Sequence, residues 1–448
     1  MILAITVLAL ILILAIKGLN NPFVAVMAFV VAYECQPGEL YPALASLHLE
    51  RVLLIFVLLV FWRKRKTFQY PAITKKFLWF YGSMLLSSVF AFWRSNALQF
   101  DMQFLEIVLY HLLLVTVLDS EERTRKYLLL YTGLVAWIGA SALYEYHIGV
   151  RIFTMNIDRA VGITSAGGDP DTMATTMAVS MPLALLLMGK GASKWIKLYG
   201  IALFTIYLAT IVDTGSRTAF LAFVFFLFMA VFSERRNWKY VPVVLVALPL
   251  LWIVIPQQYK ARYETVETRD QDKSYTDRLL SWQGGVQMFL HNPITGIGPD
   301  DYSAANGMKY WPEKPRIDLN AHSLYFKLLG ELGLLGIFIF FAYLFSVIGA
   351  NRHLARRLSM QVQVMDPLVR QYPAACNLCL YLLLFTGYSA HNTYRSTWYT
   401  MGAVTAAIAL LKPVAETSSA SAVIKPARLP AWVPAKKLPA EATIPVES

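Results

Sequence analysis

The residues of this 448-residue chain best suited to chemistry are one histidine and several arginines, placed where apolar segments begin. His322 lies in Asn320-Ala-His-Ser323, directly ahead of an apolar run that starts at Leu324. In a helix, the positive end of that run's dipole disfavours an imidazolium, and a neutral ring is what a general base requires. The competing reading is an interfacial capping histidine. Arg217 lies in Asp213-Thr-Gly-Ser-Arg-Thr218, a very short turn between two apolar segments, with Ser216 as a natural N-cap. Free backbone N–H groups, the helix dipole and a guanidinium then converge on one point, which is a phosphate-binding arrangement. Arg278 falls on the first turn of a readable helix. There Ser274-Tyr-Thr-Asp277 has the form of a capping box, and Leu279, Trp282, Val286 and Phe289 recur near helical period up to His291-Asn292-Pro293. That stripe predicts a helix lying on the membrane surface or against the tops of spans.

Arg151, Arg159 and Arg395 are further cations on the same side, and His391 of His391-Asn392 is a second histidine there. Local pairing is the alternative for each arginine, for instance Arg217 with Asp213, or Arg278 with Asp277 or Asp301. Asp169-x-Asp171 and Asp270-x-Asp272 are acidic pairs of a kind that can hold a divalent ion. So short a motif arises readily in a polar loop, so no metal site is assigned and Asp171 stays a secondary candidate. Lys327 and Glu331 stand four apart on one segment and are expected to pair. His48, His111, His147, His291 and His353 lie near segment ends or in amphipathic stretches, where a satisfied structural histidine is the default. Cys35 and the Cys376-x-x-Cys379 pair lack the second Cys or His pair of a metal or redox site.

These groups must be positioned by membrane helices. The chain is 57% hydrophobic and 15% charged, with mean hydropathy +0.50, too apolar for an ordinary soluble domain. Apolar runs fall at 2–16, 22–34, 44–62, 77–93, 103–118, 126–144, 172–188, 195–212, 218–232, 239–255, 324–350, 374–390 and 396–411. The expectation is an all-α polytopic membrane protein of about twelve or thirteen spans, without the strand alternation of a β-barrel. The N-terminal run lacks the basic start of a signal peptide and reads as a retained segment. Net charge +12 comes mostly from short connectors such as Arg63-Lys-Arg-Lys66, so it marks topology rather than a nucleic-acid surface.

The positive-inside rule puts those connectors in the cytoplasm and turns 94–102, 145–171, 213–217, 256–322 and 391–395 outward. Residues 1–411 then form the transmembrane domain with its large outward loop at 256–322, and the Pro- and Ala-rich tail 412–448 is a disordered cytoplasmic extension. Within the loop, Pro293-Ile-Thr-Gly-Ile-Gly-Pro299 is a turn-forming run, too short to be a span. A transporter or flippase for an anionic solute would show mid-span ionisable residues or paired Gly/Pro-broken spans, and neither is evident.

Several motifs in order carry a resemblance: Gly215-Ser-Arg-Thr-Ala-Phe220, Arg278-x-x-x-Trp282, Asn292-Pro293-x-x-Gly296-x-Gly298, and His322-Ser-Leu-Tyr-Phe-Lys-Leu-Leu-Gly-Glu331-Leu-Gly-Leu-Leu-Gly336. Together they resemble the O-antigen ligase and polymerase family of bacterial inner membranes. The resemblance implies a GT-C-like, metal-independent glycosyltransferase without a cofactor. Such an enzyme takes a glycan from undecaprenyl pyrophosphate and, in the ligase branch, joins it to lipid A-core at the periplasmic face. It also implies that His322 is the base and that Arg217 and Arg278 bind pyrophosphate, with Arg159 of Arg159-Ala-Val-Gly162 matching a looser pattern. Where that pattern continues into an Asn-Pro-Asn-like turn, this chain has Asp169-Pro170-Asp171. A polymerase or a protein O-oligosaccharyltransferase would use the same donor. The chemistry expected is inversion at the anomeric carbon, attacked from the face opposite the pyrophosphate, with the polyprenyl tail held between helices.

Overall fold

The computed structural model describes residues 2–40, 42–154, 157–162, 169–232, 273–312, 317–360, 365–390 and 392–411, with isolated positions between 241 and 260. Residues 1–411 form one compact unit. The tail 412–448, most of the expected run 239–255, Asp270-x-Asp272 and His391 lie outside the described residues.

The apolar runs become helices because a backbone in lipid has no water to bond and must bond to itself. In chain order these are α1 (Ile2–Gly18), α2 (Pro22–Cys35), α3 (Leu49–Arg63), α4 (Ala72–Val89), α5 (Arg94–Val117), α6 (Glu121–His147), α7 (Pro170–Leu187), α8 (Lys194–Thr214) and α9 (Arg217–Phe232). After α10 (Lys273–His291) come α11 (Leu324–Met360), α12 (Pro367–Thr386) and α13 (Ser396–Leu410). Among the described residues, six helices are long and apolar enough to cross a membrane, the one ending at Arg63 together with α5, α6, α8, α11 and α12, while α1, α2 and α9 are shorter apolar helices. Sequence-predicted boundaries hold closely at α1, α2, α7, α8, α9 and α13, whereas α5 starts nine residues and α12 seven residues before the apolar run and α11 ends ten residues after it. Several ends show their local cause. Asn21 caps α2, Ser120 caps α6 and Ser193 caps α8, each accepting a first-turn N–H.

α7 packs against α8 and α12, and α4 against α11. The centre is aromatic: Phe77 stacks on Tyr399 at 4.5 Å between centroids, and Phe104 meets Tyr399 edge-on at 5.2 Å. Between helices in lipid such packing replaces the hydrophobic effect as the cohesive force, at roughly 0.5–1.5 kcal/mol per aromatic pair beyond area burial. Cys35, Cys376 and Cys379 are free and buried in this interior.

Two features depart from the sequence reading. A short antiparallel hairpin, β1 (Ile152–Thr154) with β2 (Ile157–Arg159), interrupts the helical pattern, pairing Ile152 with Arg159. In addition, α10 buries a different face from the stripe expected. Leu279 and Val286 are each 37% exposed, whereas Ser281, Gly284, Gly285 and Met288 are buried. The small side chains let Tyr302 and Asn306 approach the helix, where the Tyr302 hydroxyl donates to the Ser281 carbonyl at 2.7 Å and the Asn306 amide to Ser281 Oγ at 3.2 Å. Close approach, rather than apolarity, selected that face.

α11 is broken at Gly333, whose φ of 58° and ψ of −160° interrupt the helix. Only glycine tolerates that conformation readily, and the break frees carbonyls and amides that lipid cannot satisfy. The run Pro293–Gly298 satisfies them. Ile297 and Gly298 donate their N–H groups to the carbonyls of Gly330 and Glu331, both at 3.0 Å, and Leu334 and Leu335 donate to the carbonyls of Pro293 and Ile294 at 2.9 and 3.1 Å. The turn-forming motif is thus a backbone splint for a membrane helix. Gly296 has φ +70°, and a Cβ there would overlap the Glu331 carbonyl. Gly296→Ala is expected to cost more than about 2 kcal/mol, read as a clearly lowered thermal unfolding midpoint in detergent. A midpoint equal to that of the parent would contradict the splint.

Candidate functional site

The Arg217 turn forms as the sequence requires. α8 ends on Gly215 in the left-handed region (φ 59°), and Ser216 Oγ accepts the Ala219 N–H at 3.4 Å. Arg217 is therefore the first residue of α9, at the positive end of the helix. Thr218 Oγ1 lies 2.8 Å from Ser389 Oγ, which ties this turn to the connector between α12 and α13.

The hairpin delivers Arg159 beneath the same turn. Arg159 Nε donates to the Thr214 carbonyl at 2.6 Å, and Nη2 pairs with Asp171 Oδ1 at 2.9 Å, with the side chain 3% exposed. The Ala160 N–H donates to the Asp213 carbonyl at 2.9 Å. Asp169 is the N-cap of α7, accepting from the Asp171 and Thr172 amides at 3.1 and 3.0 Å and from the Thr172 hydroxyl at 2.6 Å. The Asp169-x-Asp171 pair thus has defined work as a cap and as an ion-pair partner. Arg159 is a buried strut between α7 and the α8–α9 turn, not an open guanidinium.

Arg395 reaches the same helix end. Its Nη1 donates to Thr175 Oγ1 and Thr176 Oγ1 at 3.2 and 3.1 Å, and its Nη2 to the Thr172 carbonyl at 3.5 Å. Burial pulls its guanidinium pKa down to about 10, against the opposing effect of Asp169.

α10 clamps the segment that carries His322. Ser281 Oγ donates to the Asn320 carbonyl at 3.1 Å, Trp282 Nε1 to the Ala321 carbonyl at 2.8 Å, and the Trp282 ring stacks on Phe326 at 4.9 Å. On the other side the Leu324 N–H donates to the Gly387 carbonyl at 2.7 Å. Between these anchors His322 takes φ 45°, a left-handed conformation that a non-glycine residue holds only when its surroundings impose it. Burial pushes the imidazole pKa below its ordinary value and Arg278 pushes the same way, whereas Asp169 and Asp171 push it up and Lys327 down. His322, Arg278 and the start of α7 therefore share one electrostatic environment. Arg159 ties the start of α7 to the Thr214 carbonyl, in the turn that leads to Arg217.

A buried charged network lies behind the histidine. Lys327 Nζ pairs with Asp300 at 3.3 Å as well as with the expected Glu331 at 3.5 Å, and Glu331 accepts from the Tyr394 hydroxyl at 2.7 Å and the Tyr302 N–H at 3.3 Å. Asp301 is engaged by the Trp93 N–H at 2.7 Å and by Asn96 at 2.9 Å. Sequence reasoning missed the Ser281–Trp282 clamp and the Asp300 and Tyr394 contacts. The four-residue spacing from Arg278 to Trp282, one helical turn, was the available sign of the clamp. Three other histidines behave as structural ones: His111 lies between Thr74 Oγ1 and the Tyr399 carbonyl, and His147 and His291 bond carbonyls one turn back.

No curated protein matches this chain. Residues 201–341, the stretch that holds Arg217, Arg278, His322 and the splinted helix, match the family model described as O-antigen ligase, which supports a place for the chain among the O-antigen ligases and polymerases.

Proposed function

We propose that the protein is an inverting, metal-independent glycosyltransferase. It would move O-antigen glycan from undecaprenyl pyrophosphate to lipid A-core at the periplasmic face of the bacterial inner membrane. The observation that supports this most is the setting of His322, a strained, largely buried imidazole with its pKa held down by burial and by Arg278, at the start of a membrane helix. A neutral ring there accepts the proton of an acceptor hydroxyl. The hydroxyl oxygen attacks the anomeric carbon as the bond from that carbon to the pyrophosphate oxygen breaks, and the new bond forms on the opposite face. Undecaprenyl pyrophosphate leaves with the bonding pair. Arg217, at the positive end of its helix, and Arg278 take up the charge, and Arg159 holds the Arg217 turn from beneath. Arg395 fixes α7 against the α12–α13 connector.

The test is transfer by the purified protein with lipid-linked glycan and lipid A-core, with and without EDTA. Ligation is expected in both, with the anomeric configuration of the new linkage opposite to that of the donor. Loss with EDTA would refute the metal-free step, and a retained configuration would refute inversion. Elongation of a second lipid-linked glycan without use of lipid A-core would make the protein a polymerase instead.

A further inference from the structure

A cavity of about 550 Å³ opens at one end of the bundle, between the end of α2, the turns at Pro37–Leu40 and Pro42–Leu47, the start of α3 and the first turns of α5. Among the described residues it meets the site around His322 at Tyr394, the residue before Arg395, whose hydroxyl is spent on Glu331. Its volume lies within the roughly 300–1,000 Å³ of small-molecule sites.

The polar lining is Gln36, Glu50, Arg51, Gln103 and Glu106. Arg51 pairs with Glu106 at 2.7 Å, and Glu50 lies 3.7 Å from the His48 imidazole, so the lining itself holds two carboxylates to one guanidinium. An anionic head group is therefore disfavoured. Gln36 Oε1 is buried with no hydrogen-bond partner among the described residues, on a residue held at φ 41°. A buried acceptor left open costs about 1–3 kcal/mol, which a turn of the Gln36 side chain onto a ligand hydroxyl in the cavity would recover. The other walls are mainly aromatic, with Leu44, Ala45 and Ile107 beside the rings. Tyr33, Phe100, Phe104 and Tyr394 line the cavity, with Phe100 and Phe104 edge-on to Tyr394 at 4.8 and 5.9 Å. Aromatic faces carry negative partial charge and attract the weakly positive C–H groups of a sugar ring, while amides and carboxylates bond its hydroxyls.

We propose that this cavity binds a short neutral oligosaccharide belonging to a substrate of the transfer reaction. The cavity assignment stands on its lining, and only the source of the sugar, donor glycan or acceptor glycan, rests on the proposed function. Saturation-transfer NMR on the full-length protein in detergent tests it, with maltotriose, cellotriose and mannotriose as neutral probes and glycerol 1-phosphate as the anionic one. Binding of at least one trisaccharide and not of the phosphate is expected. Affinity should fall by about tenfold in Gln36→Leu and in Gln103→Leu, and binding should vanish in Ala45→Trp, which fills the space. Variants are compared only where their unfolding midpoint equals that of the parent. Binding of no trisaccharide, or binding unchanged in all three variants, overturns the proposal.

In the transfer assay, Gln36→Leu should raise KM about tenfold with little change in kcat. The rise falls on the lipid-linked donor if its glycan is the occupant, or on lipid A-core if the acceptor's is. Equal KM values for both substrates remove the cavity from the reaction. A protein that binds trisaccharide but transfers no glycan refutes the proposed function and leaves the cavity standing, whereas an active transferase that binds none refutes the cavity alone.

Discussion

His322→Ala is expected to lower kcat for glycan transfer by about 10²–10⁴-fold, the usual contribution of a positioned general base, while donor binding stays close to that of the parent. The expectation rests on the clamp from Ser281 and Trp282 and on the Leu324–Gly387 bond, which hold the backbone of residues 320–324. Removing the ring should therefore remove the proton acceptor and leave the fold. The pH profile carries the same assignment with a definite sign. Burial and then Arg278 lower the pKa of His322, so the ring stays neutral to a lower pH than an ordinary imidazole. Activity should be flat on the alkaline side of its pKa and fall as pH drops through it, with the acid limb below about 6.5, the unperturbed value. Single-turnover rates across pH, beside filter binding of labelled donor, measure both effects. Transfer by His322→Ala within tenfold of the parent, or an acid limb above pH 7, would remove the histidine from the chemistry.

The second large effect belongs to the arginines. Arg217→Ala and Arg278→Ala should each reduce kcat/KM by about 10²–10³-fold, the usual cost of losing one preorganised contact to developing charge. Lysine at either position should recover only part of that, because an ammonium cannot grip two phosphate oxygens in one plane. The double variant should lose much less than the product of the two single losses if both hold one pyrophosphate, since groups acting as a unit are not additive. Inorganic pyrophosphate should raise the unfolding midpoint of the parent and fail to do so in either variant. Two single variants with normal turnover would return both arginines to a structural role.

Much of the architecture is legible in the residues. The runs at 22–34, 103–118 and 195–212 appear as α2, α5 and α8 because a chain in lipid must bond its own backbone, so length and apolarity suffice to locate a helix. The Gly215–Ser216–Arg217 turn is equally local, since a left-handed glycine and a serine cap act within a few residues of one another. His322 and Arg278 stood out for the same reason: each lies at or near a readable helix start.

Contacts that depend on distant partners are not legible. The face that α10 buries was misread because hydrophobicity marks apolar side chains, whereas Ser281, Gly284 and Gly285 were selected by how closely Tyr302 and Asn306 approach. Nothing near Arg159 in the chain announces that it spans from Asp171 to the Thr214 carbonyl, since such a bond exists only once α7 and α8 pack. Sequence alone determined where most helices fall, the Ser216 cap and the residue types that could bind pyrophosphate and take a proton, because those follow from local backbone chemistry and from lipid as solvent. The Ser274 cap that the sequence suggested lies inside α10. Tertiary structure alone decided that α11 breaks at Gly333 and that Asn320 to Ala321 hang from α10, because a broken helix and a strained histidine persist only where another part of the chain supplies the missing hydrogen bonds.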